Sequence, residues 1–125
     1  MEDSDQSAGT VLVVDDERSI VNLLRATLEL DGYTVFEALT GPIALNLVEV
    51  IEPTAVLLDV MMPGMDGIEV CERLRLNHPD LPIVILTARD DREVERRSYE
   101  AGASHFMTKP LLPEQLGAVL SSLNV

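Results

Sequence analysis

The chain has 125 residues, of which 46% are hydrophobic and 25% charged, and this composition suits one compact soluble domain with its own core. Its 22 acidic and 9 basic residues give a net charge of −13, which disfavours direct binding to nucleic acid or to an anionic membrane. The single cysteine excludes an internal disulfide, and no apolar run approaches the roughly 20 residues that span a bilayer. We therefore expect a cytoplasmic protein.

The first nine residues, MEDSDQSAG, differ in composition from the remainder of the chain. They are acidic and polar, and they have neither the basic start nor the apolar core of a signal peptide. Such a segment has few apolar groups with which to pack against a domain. We expect residues 1–9 to form a flexible acidic tail and residues 10–125 to form the domain.

The first third of the domain predicts a strand, a helix and a second strand. Val11–Val14 (VLVV) is an apolar run rich in β-branched residues, as expected of a strand covered on both faces. The helix follows from a stripe of residues on one face, and Asp31-Gly32 supplies its end. Tyr33–Ala38 (YTVFEA) mixes polar and apolar positions, which is typical of a strand at a sheet edge. The helical stripe consists of Ile20, Leu23, Leu24, Thr27 and Leu28.

The middle of the chain repeats this alternation. Thr40 is suited to cap a second helix that has Pro42 in its first turn and ends before Pro53. Ala55–Leu58 (AVLL) is a second apolar run and predicts another buried strand. Asp66 can cap a third helix. The apolar residues of that helix are Ile68, Val70, Cys71 and Leu74, and we expect Cys71 to be an inert core residue.

The last third predicts two strands and two helices. Ile83–Leu86 (IVIL) is a third buried strand, and Ser104–Thr108 (SHFMT) has the mixed pattern of an edge strand. Between them, Asp91–Ala101 predicts a helix whose only obvious apolar contacts are Val94, Tyr99 and Ala101, so we expect it to be the least firmly docked. Pro113 begins the final helix. Its apolar positions, at i, i+3, i+4 and i+7, are Leu116, Val119, Leu120 and Leu123.

Strict alternation of strands and helices predicts an α/β fold, a doubly wound parallel sheet of five strands with five helices. Central strands 1, 3 and 4 and edge strands 2 and 5 are compatible with the order 2-1-3-4-5. In this order the chain reverses direction between strands 1 and 3, where ligands bind beyond the carboxyl ends of the strands. Asp15, Asp16 and Asp59 lie at those two ends.

Three converging carboxylates predict a metal site. Their charges repel one another and would raise their pKa values unless a cation lies among them. Hard carboxylate oxygens without His or Cys favour Mg²⁺ that retains several waters, and Mn²⁺ could substitute.

Two further strand ends predict a site for a phosphoryl group. Thr87 and Ala88 follow strand 4, and Lys109 follows strand 5. A hydroxyl, a residue small enough to let a backbone N–H approach, and an ammonium group can meet the oxygens of a transferring phosphoryl group. Asp59 would be the nucleophile between them.

Four stretches, VLVVDDE, LLDVMMPGMDG, ILTARDD and FMTKP, resemble in order and spacing the response-regulator receiver domain of two-component signalling. The resemblance covers Thr10 to about Leu123. It implies a flavodoxin-like fold and a phosphoacceptor switch in a signalling pathway or phosphorelay. Such a switch is not an enzyme in the usual sense, because it catalyses only its own phosphorylation and dephosphorylation.

The resemblance also assigns roles at the acidic site. Asp59 would accept phosphate from the phosphohistidine of a sensor kinase or a histidine phosphotransfer protein. Asp16 and Asp59 would bind Mg²⁺ directly, the backbone carbonyl of Met61 would complete the protein ligands, and Asp15 would act mostly through water.

The remaining implied roles concern the phosphoryl oxygens and the response to phosphorylation. Thr87 and Lys109 would hold phosphoryl oxygens, with the N–H of Ala88 assisting, and the Lys109-Pro110 bond is expected to be cis. Phe106 would be the switch aromatic and would move together with Thr87. The surface of helix 4, strand 5 and helix 5 would then change and control an output domain or partner protein. Met61 and Arg89 would tune the lifetime of the phosphoryl group.

Three other functions compete with this interpretation. A haloacid-dehalogenase-like phosphatase also uses an aspartyl-phosphate and Mg²⁺, but it needs an acid two residues after the nucleophile, where this chain has Met61. A nucleotide-binding module would need a glycine-rich turn after Val14. A receiver that binds partners without phosphorylation is disfavoured because every residue of the acceptor site is present.

Overall fold

The computed structural model describes residues 8–88, 91–109, 112–123 and 125. None of the helices in these ranges combines the length and hydropathy needed to cross a bilayer. In chain order the elements are β1 (Thr10–Val14), α1 (Arg18–Leu30), β2 (Thr34–Ala38), α2 (Gly41–Ile51), β3 (Ala55–Asp59), α3 (Gly67–Asn77), β4 (Ile83–Thr87), α4 (Arg92–Glu100), β5 (His105–Thr108) and α5 (Pro113–Ser122).

The five strands form one parallel sheet in the order β2-β1-β3-β4-β5, which confirms the predicted topology. Two apolar clusters cover its faces. One contains residues of α2, α3 and α4, and the other contains residues of α1 and α5. β1, β3 and β4 are therefore enclosed on both sides, because their apolar side chains alternate between the two clusters.

At their carboxyl ends, β3 and β4 each extend one residue beyond the apolar run. Asp59 pairs with Leu86 as the last residue of β3, and Thr87 pairs with Thr108 as the last residue of β4. Both polar residues are buried. The sheet therefore holds Asp59 and Thr87 in its regular backbone geometry, while the preceding apolar residues supply the packing.

The predicted buried face of α1 is confirmed only in part, since Leu24 and Leu28 are buried as expected but Leu23 is not. Val21, Leu24 and Leu28 are its buried residues, whereas Leu23 is 60% exposed and Ile20 and Thr27 are half-buried. Val21 was not included in the predicted stripe. The helix carries apolar residues on two adjacent faces, so the spacing alone does not decide which one packs on the sheet.

The contacts of α4 also differ in part from the prediction. Val94 and Ala101 are buried as expected, but Tyr99 is 43% exposed and Ser98 is fully buried. The Ser98 hydroxyl donates a hydrogen bond of 2.8 Å to the carbonyl of Val94, its partner one turn earlier. A small residue with a satisfied hydroxyl can pack closely against the sheet, and Tyr99 lies on a neighbouring face of the helix.

The two predicted caps, Thr40 and Asp66, are confirmed, and Asp91 is a third cap that was not predicted. Side chains of Thr40, Asp66 and Asp91 accept backbone N–H groups in the first turns of α2, α3 and α4.

Cys71 is buried, and burial raises the pKa of its thiol to about 11, in agreement with an inert core residue.

The predicted tail lies mostly outside the described residues. Of its last two residues, Ala8 donates its N–H to the carbonyl of Gly32, and the carbonyl of Gly9 accepts the N–H of Thr34. The flexibility of residues 1–7 stays a prediction.

Candidate functional site

The carboxylates of the predicted site meet at the carboxyl ends of β1 and β3. Val14 and Leu58 are partners in the sheet, so Asp15 and Asp59, which follow them, lie side by side. Asp15 is 2% exposed and Asp59 is 5% exposed, whereas Asp16 is exposed. One carboxylate oxygen from each of the three lies within 4.8 Å of the others. The predicted convergence of the three acids is thus present in the structure.

Lys109 places a positive charge beside these acids. Its backbone N–H donates to the carbonyl of Thr87 at 2.8 Å, which holds the segment after β5 against the end of β4. Its Nζ donates to Asp15 Oδ2 at 2.6 Å and lies 3.6 Å from Asp59 Oδ1. The ammonium group is therefore within reach of a group attached to Asp59 without being bonded to that oxygen.

Asp59 is the electrostatically least satisfied group of the site. Its Oδ1 has no hydrogen-bond partner among the described residues, although the N–H of Met61 donates to the carboxylate. Burial raises the pKa of the Asp59 carboxyl from 3.8 to about 6, the positive charge of Lys109 lowers it, and Asp15 raises it further. Asp59 thus carries a buried charge that a cation or an electrophile would stabilise.

The donor set fits Mg²⁺. Both oxygens of Asp15 are engaged, since Oδ2 accepts from Lys109 and Oδ1 accepts the N–H of Glu17 at 2.9 Å. The Asp59 carboxylate, which has only one hydrogen-bonded oxygen among the described residues, and the exposed carboxylate of Asp16 are better suited to direct coordination. A hard cation that keeps several waters suits so few carboxylate ligands.

Of the other predicted site residues, those that the structure describes lie at the same edge of the sheet or near it. Thr87 is fully buried at the end of β4, and Ala88 follows it at the surface. Phe106 in β5 is half-buried against the apolar cluster that includes Val94 of α4. Met61 is 51% exposed in the loop after Asp59.

Arg89 and the Lys109-Pro110 bond lie outside the described residues, so the predictions for them are untested.

Sequence reasoning missed one contributor, Gly67, the first residue of α3. A Cβ at this position would lie 2.0 Å from the carbonyl oxygen of Asp59 and 2.9 Å from the Cα of Val60. The N–H of Gly67 donates to the carbonyl of Val60 at 3.1 Å. The glycine therefore lets α3 begin directly against the backbone that carries Asp59, and the only signal was a glycine immediately after the N-cap Asp66.

Comparisons with known proteins agree with this geometry. The family model described as the response regulator receiver domain matches residues 11–121. Among curated proteins, the chain is 45% identical over 113 residues to the response regulator MprA of Mycolicibacterium vanbaalenii, covering 90% of this chain and 49% of that protein. It is 44% identical to the alkaline phosphatase synthesis transcriptional regulatory protein PhoP of Bacillus subtilis, covering 90% of this chain and 47% of that protein. The chain thus spans about half the length of these relatives.

Similarity to solved structures extends over nearly the whole chain. The chemotaxis protein CheY4 of Vibrio cholerae superposes with a TM-score of 0.87 at 32% identity, covering 91% of this chain and 97% of that one. None of the three comparisons, with the family model, the curated proteins and the solved structures, supports the phosphatase alternative. Fold, site geometry and sequence similarity therefore agree, and the chain belongs to the response-regulator receiver family.

Proposed function

We propose that Asp59 accepts a phosphoryl group from the phosphohistidine of a sensor kinase or histidine phosphotransfer protein. The observation that carries the proposal is the buried Asp59 carboxylate, whose Oδ1 lacks a hydrogen-bond partner among the described residues and lies 3.6 Å from the Lys109 ammonium. A carboxylate in this state can bond to phosphorus without first breaking a strong protein contact.

The transfer forms one bond and breaks one. A carboxylate oxygen of Asp59 attacks phosphorus, the N–P bond of the phosphohistidine breaks, and its electron pair returns to the imidazole. Lys109 Nζ and the hydroxyl of Thr87 hold the phosphoryl oxygens, and the N–H of Ala88 assists. These groups stabilise the charge that is spread over the oxygens during transfer.

Asp16, Asp59 and the backbone carbonyl of Met61 would hold Mg²⁺, and Asp15 would act through water. The bound ion supplies charge neutralisation at the phosphoryl oxygens and at the clustered acids. The raised pKa of Asp59 supports this assignment, because without a cation the buried carboxylate is destabilised.

Phosphorylation then changes the surface of α4, β5 and α5. Thr87 moves toward the phosphoryl group, and Phe106 turns further into the cluster that it already contacts. This biases an existing equilibrium rather than creating a new fold. The changed surface controls an output domain or a partner protein, and we place the process in the cytoplasm, with no direct role for nucleic acid or membrane.

A phosphatase function has no comparable support. The position two residues after Asp59, where a haloacid-dehalogenase-like enzyme needs its acid, is occupied by Met61. Met61 is half exposed and has no ionisable group, so it cannot protonate a leaving group. The chain is accordingly a phosphoacceptor switch that catalyses only its own phosphorylation and dephosphorylation.

Acetyl phosphate tests the proposal without a cognate kinase. Incubation of the protein with acetyl phosphate and Mg²⁺ is expected to add the mass of one phosphoryl group, measured on the intact protein. A chelator in place of Mg²⁺ should prevent the gain, because the acids and the phosphoryl oxygens would repel one another. Labelling that is equally fast with the chelator would contradict the metal-dependent mechanism.

The lifetime of the phosphoryl group should depend on Met61. Its thioether can neither orient nor activate an attacking water, so we expect wild-type protein to keep its phosphate for longer than seconds at room temperature. Met61→Asn introduces an amide that can position water and should shorten the lifetime. Decay is followed by intact mass after removal of acetyl phosphate.

Leu76→Asn is the matched control for this substitution. Leu76 is also an exposed apolar residue, at 83%, but it lies on α3 rather than in the loop after Asp59. Equal acceleration by both variants would show that the effect is not local, and loss of phosphate from wild type within seconds would contradict the role of Met61. Arg89, the other proposed tuning residue, can be tested in the same assay.

A further inference from the structure

The two ends of α4 are held very differently, and Arg75 in α3 is responsible for much of the difference. Arg75 Nε and Nη2 donate to the carbonyl of Gly102, just after α4, at 3.0 and 2.6 Å. Arg75 Nη1 donates to the carbonyls of three residues that link α3 to β4. These bonds go to His78 (2.8 Å), Pro79 (3.1 Å) and Leu81 (2.7 Å).

The turn that receives Arg75 is shaped for this contact. Gly102 has φ +106°, a conformation that side chains other than glycine rarely adopt. A Cβ at Gly102 would also lie 2.9 Å from both Cγ and Nε of Arg75. The backbone therefore passes directly against the arginine side chain, which joins the end of α4 to the end of α3.

Further bonds hold the same end of α4. The Cys71 thiol contacts the carbonyl of Ala101 at 3.6 Å, and the N–H of Ala103 donates to the carbonyl of the buried Ser98. Ser104 and Ile83 exchange two hydrogen bonds, which fix the start of β5 to the start of β4. Residues 98–104 are thus attached both to α3 and to the sheet.

At the other end of α4, in residues 92–97, the side-chain hydrogen bonds between described residues stay within the helix, from Arg96 to Glu93 and Glu100. Within residues 92–97, Val94 is the only buried side chain. Val94 and Arg97 also line an open groove of about 510 Å³, whose opposite wall is the loop after Asp59, from Val60 to Gly64. Because the chain enters α4 soon after Thr87, this weakly held end is the one that lies nearer the phosphoacceptor edge of the sheet.

From this contrast we infer that Arg75 is the anchor about which α4 pivots. The inference rests on the proposed function, since phosphorylation of Asp59 supplies the signal. The segment 91–97 moves relative to the groove, while residues 98–104 keep their bonds to Arg75 and the sheet. The helix therefore acts as a lever whose movable end is next to the site, and it does not move as a whole.

Hydrogen exchange measured by mass spectrometry tests the lever. The protein with Mg²⁺ is compared before and after addition of beryllofluoride, which mimics a phosphoryl group on aspartate. In the wild type we expect altered exchange in 91–97 and in the loop after Asp59, with 98–104 unchanged. Exchange that changes equally in 91–97 and 98–104 would overturn the pivot.

Two arginines of the same helix provide a matched pair of variants. Arg75→Gln should accelerate exchange in 98–104 by roughly tenfold or more and should let the beryllofluoride effect spread into that segment. Arg73→Gln removes only an exposed pair with Glu69 and should leave 98–104 as in the wild type. Equal exchange in 98–104 for the two variants would overturn the role of Arg75.

The wild-type comparison decides the pivot even if Arg75→Gln does not fold, and Arg75→Lys then replaces it as the second variant. Lysine keeps the charge but cannot reach carbonyls on both sides as the guanidinium does. A complete lack of any beryllofluoride effect would overturn the proposed function and the lever motion together. The anchoring of 98–104 by Arg75 would still be decided by the variants.

Discussion

Asp59→Asn is expected to abolish phosphorylation by acetyl phosphate. The amide has nearly the shape of the carboxylate but lacks the nucleophilic charge, so the site remains formed while the acceptor is lost. Intact mass in the presence of Mg²⁺ should show the gain of one phosphoryl group for wild type and none for the variant.

Asp80→Asn is the control for this loss. Asp80 is exposed in the loop after α3, so the same chemical change is made far from Lys109 and Thr87. We expect it to be phosphorylated as fast as the wild type. An equal mass gain for Asp59→Asn and wild type would refute the assignment of Asp59 as the acceptor.

Asp59→Asn should also stabilise the metal-free protein at neutral pH. A pKa of about 6 in the folded protein, against 3.8 ordinarily, means that the folded state holds a proton on Asp59 more tightly than the unfolded chain does. The contribution of Asp59 to the free energy of unfolding is therefore most favourable below about pH 4, where the carboxyl is protonated in both states. This contribution is lost as the pH rises through about 6, where the buried carboxyl ionises in the folded protein. The shift corresponds to up to about 3 kcal/mol. Asn removes this cost because it carries no charge.

Denaturation by urea in the presence of a chelator measures this effect between pH 4 and pH 8. The free energy of unfolding of Asp59→Asn should exceed that of wild type by about 1–3 kcal/mol at pH 7, and the difference should shrink toward pH 4. Mg²⁺ should stabilise wild type more than the variant, and its apparent affinity for wild type should fall below about pH 6. A difference that is independent of pH would contradict the burial of an ionised Asp59.

Gly67→Ala is the second substitution with a large expected effect. Because its Cβ would lie 2.0 Å from the Asp59 carbonyl oxygen, either α3 or the end of β3 must shift. We expect a loss of about 1–3 kcal/mol in the free energy of unfolding, as for other overpacked sites. A displacement of about 1 Å at the acceptor should also slow phosphorylation by acetyl phosphate by roughly 100-fold.

Gly117→Ala makes the same chemical change where there is room for it. Gly117 lies within α5, and the nearest atom to an added Cβ is Asp31 Oδ2 at 3.9 Å. This variant should gain up to about 1 kcal/mol, because alanine favours a helix, and should be phosphorylated normally. If Gly67→Ala retained wild-type labelling kinetics, Gly67 would not be a positioning residue for Asp59.

The acidic site could be predicted well because it depends on strand ends. The apolar runs identified the central strands, and the carboxyl ends of parallel strands meet at one edge of a sheet. Asp15, Asp16 and Asp59 were therefore expected to converge, and the structure brings one oxygen of each within 4.8 Å of the others. The position of Lys109 beside Asp15 and Asp59 follows from the same rule.

The helix faces could be predicted only in part. The spacing on α1 was compatible with burial of Leu23, yet Val21 is buried and Leu23 is exposed. On α4, hydrophobicity favoured Tyr99, whereas the buried residue is Ser98. A helix with apolar groups on adjacent faces can rotate by one position without changing its pattern, so packing against the sheet decides which face is buried.

Hydrophobic period and composition are local properties, and the distinction between buried and edge strands restricts the order in which the strands can pair. For this reason the sequence by itself determined the sheet, its topology and the location of the acidic site. Only the tertiary structure revealed the close approach of Gly67 to Asp59 and the bonds from Arg75 to Gly102. Arg75 and Gly102 are 27 residues apart, and no residue pattern within either segment encodes the distance between them. Such contacts exist because β3, β4 and the helices that flank them pack against one another, which places α3 directly against the end of α4 and against β3, the strand that carries Asp59.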